Sequence, residues 1–371
     1  MTDHSCPDRP TEDELQIHRQ ISLAAYAAAG VGCALGIVGN ALSVLVLRCV
    51  RPRAAPIYLY LTALAVVDLL TLVSALPYVA YRLVPPSASC SGFLVSTGPF
   101  LAFYMAHCLN PLANGFVYIS VYITFWITVD RYVAVRHPAQ YAARQDRSGQ
   151  ARDRIVFSAV ITFVANMPSV FYYDMVADSG GYRVDFHPSV MRNHWWMCVV
   201  SLQQAMLLGP VVAILVMNVM VMTRVLRIQR GVRAEPPPVC VIVPVYDDTE
   251  RRLVWLLVAI SGACVACNVL SPAVVLMALA RPRKDLLFVL QSVGNDLQFA
   301  NSLLNVLFYY VFSLEMRRAL YGLVERGVAR LRRLRGQADS VQLRVKSLRA
   351  RQLVSGSLFT ARALTSEGVL H

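Results

Sequence analysis

Asp130-Arg131-Tyr132 places a carboxylate, a guanidinium and a phenol in a row at the end of the third of seven long apolar segments. A charge pair costs little at a helix mouth and much at the bilayer centre, so this position reads as a cytoplasmic switch rather than a buried catalyst. The plainer reading of Arg131 is an arginine that snorkels at a helix end, and the adjacent acid argues against it. Two further acids interrupt apolar segments: Asp68 in the middle of the second and Asp296 in the seventh. An unpaired carboxylate at mid-membrane is expensive, so Asp68 must be neutral, hydrogen-bonded or bound to a cation.

Helical spacing names partners for Asp68. Ser120 lies three turns before Arg131, Asn301, Ser302 and Asn305 share one face of the seventh segment, and Asn40 joins from the first. Carboxylate, hydroxyl and amide oxygens suit a hard monovalent cation. They also suit a water-filled polar network that packs helices together, and the residues alone leave both readings open.

The elements that must hold these groups are membrane helices. Of 371 residues, 56% are hydrophobic and 15% charged, and the mean hydropathy is +0.50, which excludes an ordinary soluble domain. Stretches near Ile21–Arg48, Ile57–Leu83, Gly98–Tyr132, Arg154–Asp174, Trp195–Val225, Leu253–Ala280 and Leu286–Phe312 each supply the roughly 20 apolar residues that span ~30 Å of hydrocarbon as helix. The expected organisation is an extracellular tail (1–20), one seven-helix domain (21–312) and a cytoplasmic helix with a basic tail (313–371).

Arginine distribution orients the bundle. Arg48, Arg51 and Arg53 follow the first span, Arg136, Arg144, Arg147, Arg152 and Arg154 the third, and Arg224, Arg227, Arg230 and Arg233 the fifth. These loops are therefore cytoplasmic and the N-terminus extracellular. The basic run Arg281-Pro282-Arg283-Lys284 falls on the outer side and is outweighed. The net charge of +13 resides largely in the tail after Phe312. Beside a membrane such a tail meets anionic lipid or a partner before nucleic acid, and Leu314–Arg335 has the pattern of an amphipathic interfacial helix. Between the fifth and sixth spans, Pro236-Pro237-Pro238 forbids helix, and the apolar run Val239–Tyr246 follows it. The first twenty residues lack the pattern of a cleavable signal, so the first span is expected to act as its own.

With seven spans and Asp130-Arg131-Tyr132, the chain resembles the rhodopsin-like G-protein-coupled receptors from Gly39 to Leu320. The supporting marks are Gly39-Asn40, Leu64-Ala65-Val66-Val67-Asp68, Pro210, Pro272, and Asn305 with Tyr309. The resemblance implies an all-α seven-helix fold in the plasma membrane that binds an extracellular ligand and couples to a heterotrimeric G protein. It also implies that Asp130 holds Arg131 until activation, that Tyr309 swings inward with it, and that sodium at Asp68 brakes activation; no other cofactor is implied. Arrestin and a receptor kinase would act on Ser340, Ser347, Ser355, Ser357, Thr360, Thr365 and Ser366 in the tail. By the family pattern Cys198 is tied to the third helix, with Cys108 as partner and Cys90 as the alternative; Cys6 is left over. Val306 stands where the family's Asn-Pro-x-x-Tyr motif has proline, and Leu270 where many members have a tryptophan.

Retinal needs a lysine within the seventh helix, yet the lysines are Lys284 and Lys346, expected in an outer loop and in the tail. Ala113 occupies the place of the aspartate that amine receptors use. Local runs are instead similar to invertebrate FMRFamide-type neuropeptide receptors: Pro111-Leu112-Ala113-Asn114, Ser120-Val121-Tyr122-Ile123-Thr124, Thr128 through Val135, His137-Pro138, Asn166-Met167-Pro168, and Asp296-Leu297 with Asn301-Ser302 and Asn305. A peptide would enter between the outer helix ends. Wall candidates are Tyr78, Tyr81, Arg82, Tyr104, His107, Tyr172, Tyr173, Trp195, Trp196, Gln291, Asn295 and Asp296. Aromatics at helix ends also serve as interface anchors. Asp296 is the natural partner for a peptide arginine. No phosphate loop, His-Glu-x-x-His, Cys-x-x-Cys or nucleophile elbow is present, so no enzyme is expected. A transporter or channel would use Asp68 and Asp296 as an ion relay, but no internal repeat supports one. A nonpeptide ligand, or a receptor-like protein that no longer signals, remains the alternative function.

Overall fold

The computed structural model describes residues 12–49, 56–83, 98–143, 146–178, 181–234, 248–279, 284–312, 317–322 and 324–330, with 332, 333, 335, 337 and 340. Among the described residues six helices are long and apolar enough to cross a membrane, and Val293–Phe312 makes a seventh only when counted together with Arg317–Arg330 as one broken span. They are α1 (Glu12–Cys49), α2 (Pro56–Leu83) and α3 (Pro99–Arg136), then α4 (Arg147–Asn166) and α5 (His194–Ala234). α6 runs over Asp248–Asn268 and, after a break at Val269, over Leu270–Leu279; α7 is Lys284–Phe312. A second unit, Arg317–His371, is helical at 317–322 and 324–330, where side chains are mostly exposed.

The solvent-facing logic is inverted relative to a water-soluble bundle. Val31, Leu35 and Val38 on α1 and Val212, Leu215, Val216 and Val219 on α5 point outward, while Asn40, Asp68, Thr71, Ser120, Asn301, Ser302 and Asn305 are buried. Lipid is as apolar as leucine, so the helices are held by packing and by polar groups that face one another. Hydroxyls inside the helices return to their own backbone: Thr71, Thr124, Thr128, Ser158 and Thr162 each donate to the carbonyl four residues earlier.

α1 begins at Glu12 rather than near Ile21, inside the stretch expected to be tail, and both ends of α4 differ from the expectation. α4 begins at Arg147, not Arg154, because Asp146 caps it: the residue sits at φ 42 and accepts from the Gly149 amide at 2.9 Å. At its other end a 3₁₀ turn (Met167–Phe171) closes the span, and Tyr173 and Asp174 belong to strand β1 (Tyr173–Asp178) instead. β1 pairs antiparallel with β2 (Gly181–Phe186), from Tyr173 opposite Phe186 to Asp178 opposite Gly181, whose φ of 150 suits glycine. Val184 of this hairpin packs with Tyr78, Leu101 and Leu109 around Met105 of α3. α3 carries a π-helical turn over Tyr104–Cys108, just where the hairpin lies on it. The segments Pro236-Pro237-Pro238 and Val239–Tyr246, the basic run 281–283, Arg82's side chain and the tail phosphorylation candidates beyond Ser340 lie outside the described residues.

Candidate functional site

The buried site is built where α1, α2, α3 and α7 meet. Asp68 is fully buried, and its carboxylate accepts three hydrogen bonds: from Ser120 Oγ at 3.1 Å, Ser302 Oγ at 3.1 Å and Asn305 Nδ2 at 2.7 Å. Asn40 Nδ2 donates to the Ser302 carbonyl at 3.0 Å and to Gly36 at 2.9 Å, tying α1 to the α7 backbone beside the acid. Thus Asn40, Ser120, Ser302 and Asn305 come together around Asp68. Asn301 is buried on the same face of α7. The Oδ1 atoms of Asn40, Asn301 and Asn305, and of Asn268 on α6, are buried acceptors with no partner among the described residues. Among the described residues every donor bonded to Asp68 is neutral, and the buried amides of Asn40, Asn301 and Asn305 present bare oxygens. That donor set fits a small hard cation or ordered water.

A second site is built around Asp130. Its Oδ1 accepts from Arg154 Nη1 of α4 at 2.7 Å, and the same nitrogen donates to the Tyr60 hydroxyl of α2 at 3.2 Å. The Arg154 guanidinium lies over the Trp126 ring, 4.8 Å from its centre, and Trp126 Nε1 donates to Ser158 Oγ at 3.1 Å. Arg131, one residue on, lines a cavity of about 10 Å³ with Thr128, Val135, Asn218, Val221, Val254, Leu257, Val258 and Ser261. Across that cavity Asn218 Nδ2 of α5 donates to Ser261 Oγ of α6 at 2.8 Å, and Ser261 Oγ lies 3.0 Å from Asn218 Oδ1. Tyr132 is half-buried, and Tyr309 is buried with its hydroxyl unpartnered among the described residues.

At the outer end several expected wall residues are already engaged. Tyr104 donates its hydroxyl to the Ser74 carbonyl at 2.7 Å, and His107 Nδ1 lies 2.9 Å from the Val170 carbonyl, so both brace the π turn of α3 against neighbouring helices. Tyr78 is half-buried against Met105. Tyr172 donates to Gln203 at 2.5 Å and meets Trp196 edge-on, with ring centres 5.9 Å apart. Burial pushes the Tyr172 phenol up to about 12, so it stays a hydrogen-bond donor at physiological pH. Trp195 is exposed, and Asn295 and Asp296 are half-buried on α7, with Asp296 within charge range of Cys33 on α1. The side chains of Tyr81 and Gln291 lie outside the described residues.

The structure does not form the expected tie between Cys108 and Cys198: both are free thiols in it. Cys198 is not in the loop before α5 but on the helix itself, where it is exposed, whereas Cys108 is half-buried at the end of the π turn. Cys90 and Cys6 lie outside the described residues. In place of that bridge the hairpin is held by the cluster around Met105 and by the His187 amide donating to the Tyr172 carbonyl at 2.9 Å.

Sequence reasoning missed Arg154, Tyr60, Trp126 and Ser158, and the Asn218–Ser261 pair. Their signals were present. Trp126 precedes Asp130 by one helical turn, and Asn218 and Ser261 are polar residues inside apolar spans.

The model of the seven-transmembrane receptor (rhodopsin family) matches residues 39–309. Among curated proteins, a probable G-protein-coupled receptor of Caenorhabditis elegans is 26% identical over 309 residues, covering 77% of this chain and 71% of its own length. A second from the same organism is 26% identical over 203 residues, 51% of this chain and 44% of its own length. A Drosophila melanogaster FMRFamide receptor is 30% identical over 135 residues, 36% of this chain and 24% of its own length. The chain therefore spans less than half the length of the latter two relatives.

Proposed function

Because the chain belongs to the rhodopsin family of seven-transmembrane receptors, we propose that it transduces binding of an extracellular peptide, of FMRFamide-like class, to a heterotrimeric G protein. It is a multi-pass membrane protein of a receptor family, not an enzyme. The observation that carries the coupling half is the cavity under Arg131. A partner helix entering between α3, α5 and α6 would meet Arg131 first and would have to part Asn218 from Ser261, which now close the gap. The peptide half is supported by the partial likeness to the Drosophila FMRFamide receptor and by Asp296, a half-buried acid near the outer end of α7 that would pair with a peptide arginine.

In this reading the protein sits in the plasma membrane with its N-terminus outside. The basic tail lies against anionic lipid and offers its serines to a kinase and then arrestin. Sodium at Asp68 would be held by that carboxylate with the oxygens of Ser120, Ser302, Asn301, Asn305 and Asn40. Its charge would neutralise Asp68, and its bonds would brace α2, α3 and α7 in the resting arrangement. The unpartnered amide oxygens beside the acid support this fit.

The test is calcium and cyclic-nucleotide signalling in cells expressing the chain, challenged with a library of amidated neuropeptides, beside Arg131→Ala and Asp296→Asn. The expected result is a response to one peptide class that Arg131→Ala abolishes and Asp296→Asn shifts to higher concentration. Silence at normal surface expression would favour a nonpeptide ligand or a receptor-like protein that does not signal.

A further inference from the structure

We propose that Arg154 is a positioning residue for the Asp130-Arg131 switch: by drawing Asp130 toward α4 it weakens the hold of that carboxylate on Arg131 and primes the receptor for coupling. The inference rests on reading Asp130-Arg131 as a G-protein switch. Within that reading, the usual picture assigns the acid to the neighbouring arginine alone. Here its Oδ1 is taken at 2.7 Å by a cation from another helix.

Arg154 is built into place rather than resting there. Its side chain is 21% exposed and that of Asp130 is 15% exposed. Three contacts fix the guanidinium: the Asp130 carboxylate, the Tyr60 hydroxyl and the Trp126 ring; Ser158, bonded to the Arg154 backbone carbonyl, also takes the Trp126 indole. A guanidinium cannot lose its charge in a protein, so this is a permanent second cation at the switch acid. A charge-assisted bond at this length and exposure is at the strong end. The consequence follows from electrostatics. One carboxylate shared by two fixed cations binds each less firmly than it would bind one, and the two cations repel. Removing the Arg154 charge leaves Asp130 to Arg131 and deepens the resting state. A merely structural rivet between α2, α3 and α4 would instead change the amount of folded protein and not the signal per receptor.

The test measures ligand-free nucleotide exchange on co-expressed G proteins in membranes, normalised to surface receptor, for the wild type, Asp130→Asn, Arg154→Gln, Arg154→Lys, Asp130→Asn with Arg154→Gln, and Arg131→Ala. Asp130→Asn is expected to raise basal exchange about fivefold, a typical coupling between linked sites. Arg154→Gln is expected to lower it below wild type, Arg154→Lys to restore most of the loss, and Arg154→Gln to have no effect once Asp130 is Asn. A rise in Arg154→Gln, no change per receptor, or an equal effect in both backgrounds would overturn the proposal. Arg131→Ala separates the two claims: if it leaves basal exchange at the wild-type level, the switch reading itself fails and this inference falls with it.

Discussion

Asp68 and Asp130 are the same side chain on adjacent helices, and the bundle treats them in opposite ways. Asp68 is sealed at the meeting of α2, α3 and α7, where, among the described residues, hydroxyls and an amide supply its hydrogen bonds and no cation is bonded to it. Asp130 sits within two turns of the end of α3 and takes a guanidinium. Neutral donors stabilise a carboxylate but leave its charge in place, so the inner acid needs a proton or an ion from outside the chain. The outer acid finds its counter-charge on a neighbouring helix and becomes sensitive to how the helices move. One carboxylate therefore suits a brake set by the medium, the other a switch set by helix position.

Three substitutions break this contrast on one side only, and Gly294→Ala, which touches neither acid, sets the scale for packing; all are read by thermal unfolding in detergent with a thiol-reactive dye, for which buried Cys33, Cys264 and Cys267 are reporters. Asp68→Ala has the largest expected effect, a loss of about 3 kcal/mol, because Ser120, Ser302 and Asn305 all lose an acceptor in a buried setting. Next is Gly294→Ala. A Cβ there would stand 3.2 Å from Ser271 Cα, and backbone cannot move aside as a side chain does, so a loss of about 2 kcal/mol is expected from overpacking. This variant strains α6 against α7 at the break in α6 and touches neither acid. Ser302→Ala removes one bond to Asp68 and should cost about 1 kcal/mol. It should also shrink any effect of sodium. The smallest change is Trp126→Phe, which keeps a ring under Arg154 but loses the donor to Ser158 and part of the cation–π attraction, for about 0.5 kcal/mol. If Trp126→Phe exceeded Asp68→Ala, the ranking of buried over half-exposed site would be wrong.

The inner site was legible in the sequence because everything it needs is encoded by helix periodicity. Ser302 and Asn305 are spaced to face one way, and an acid in an apolar run has few ways to be satisfied. The outer site was not. Arg154 stood among five loop arginines after the third span, and only the cap at Asp146, which starts α4 early, turns it from a loop residue into one facing Asp130. A left-handed cap is a tertiary choice that composition does not announce. The expected bridge rested on the family pattern alone: α5 begins at His194, so Cys198 is carried on helix, and Cys108 closes the π turn of α3. The outer wall was half legible. Tyr104 and His107 are at the expected height, yet their polar atoms are spent on Ser74 and Val170.

The contrast between the two acids is tested most directly by the unfolding temperature of purified protein in sodium chloride against choline chloride at equal ionic strength, for the wild type, Asp68→Asn and Asp130→Asn. The account predicts that sodium stabilises the wild type and Asp130→Asn to the same extent and has no effect on Asp68→Asn. A sodium effect that survives Asp68→Asn, or its absence from the wild type, would contradict it.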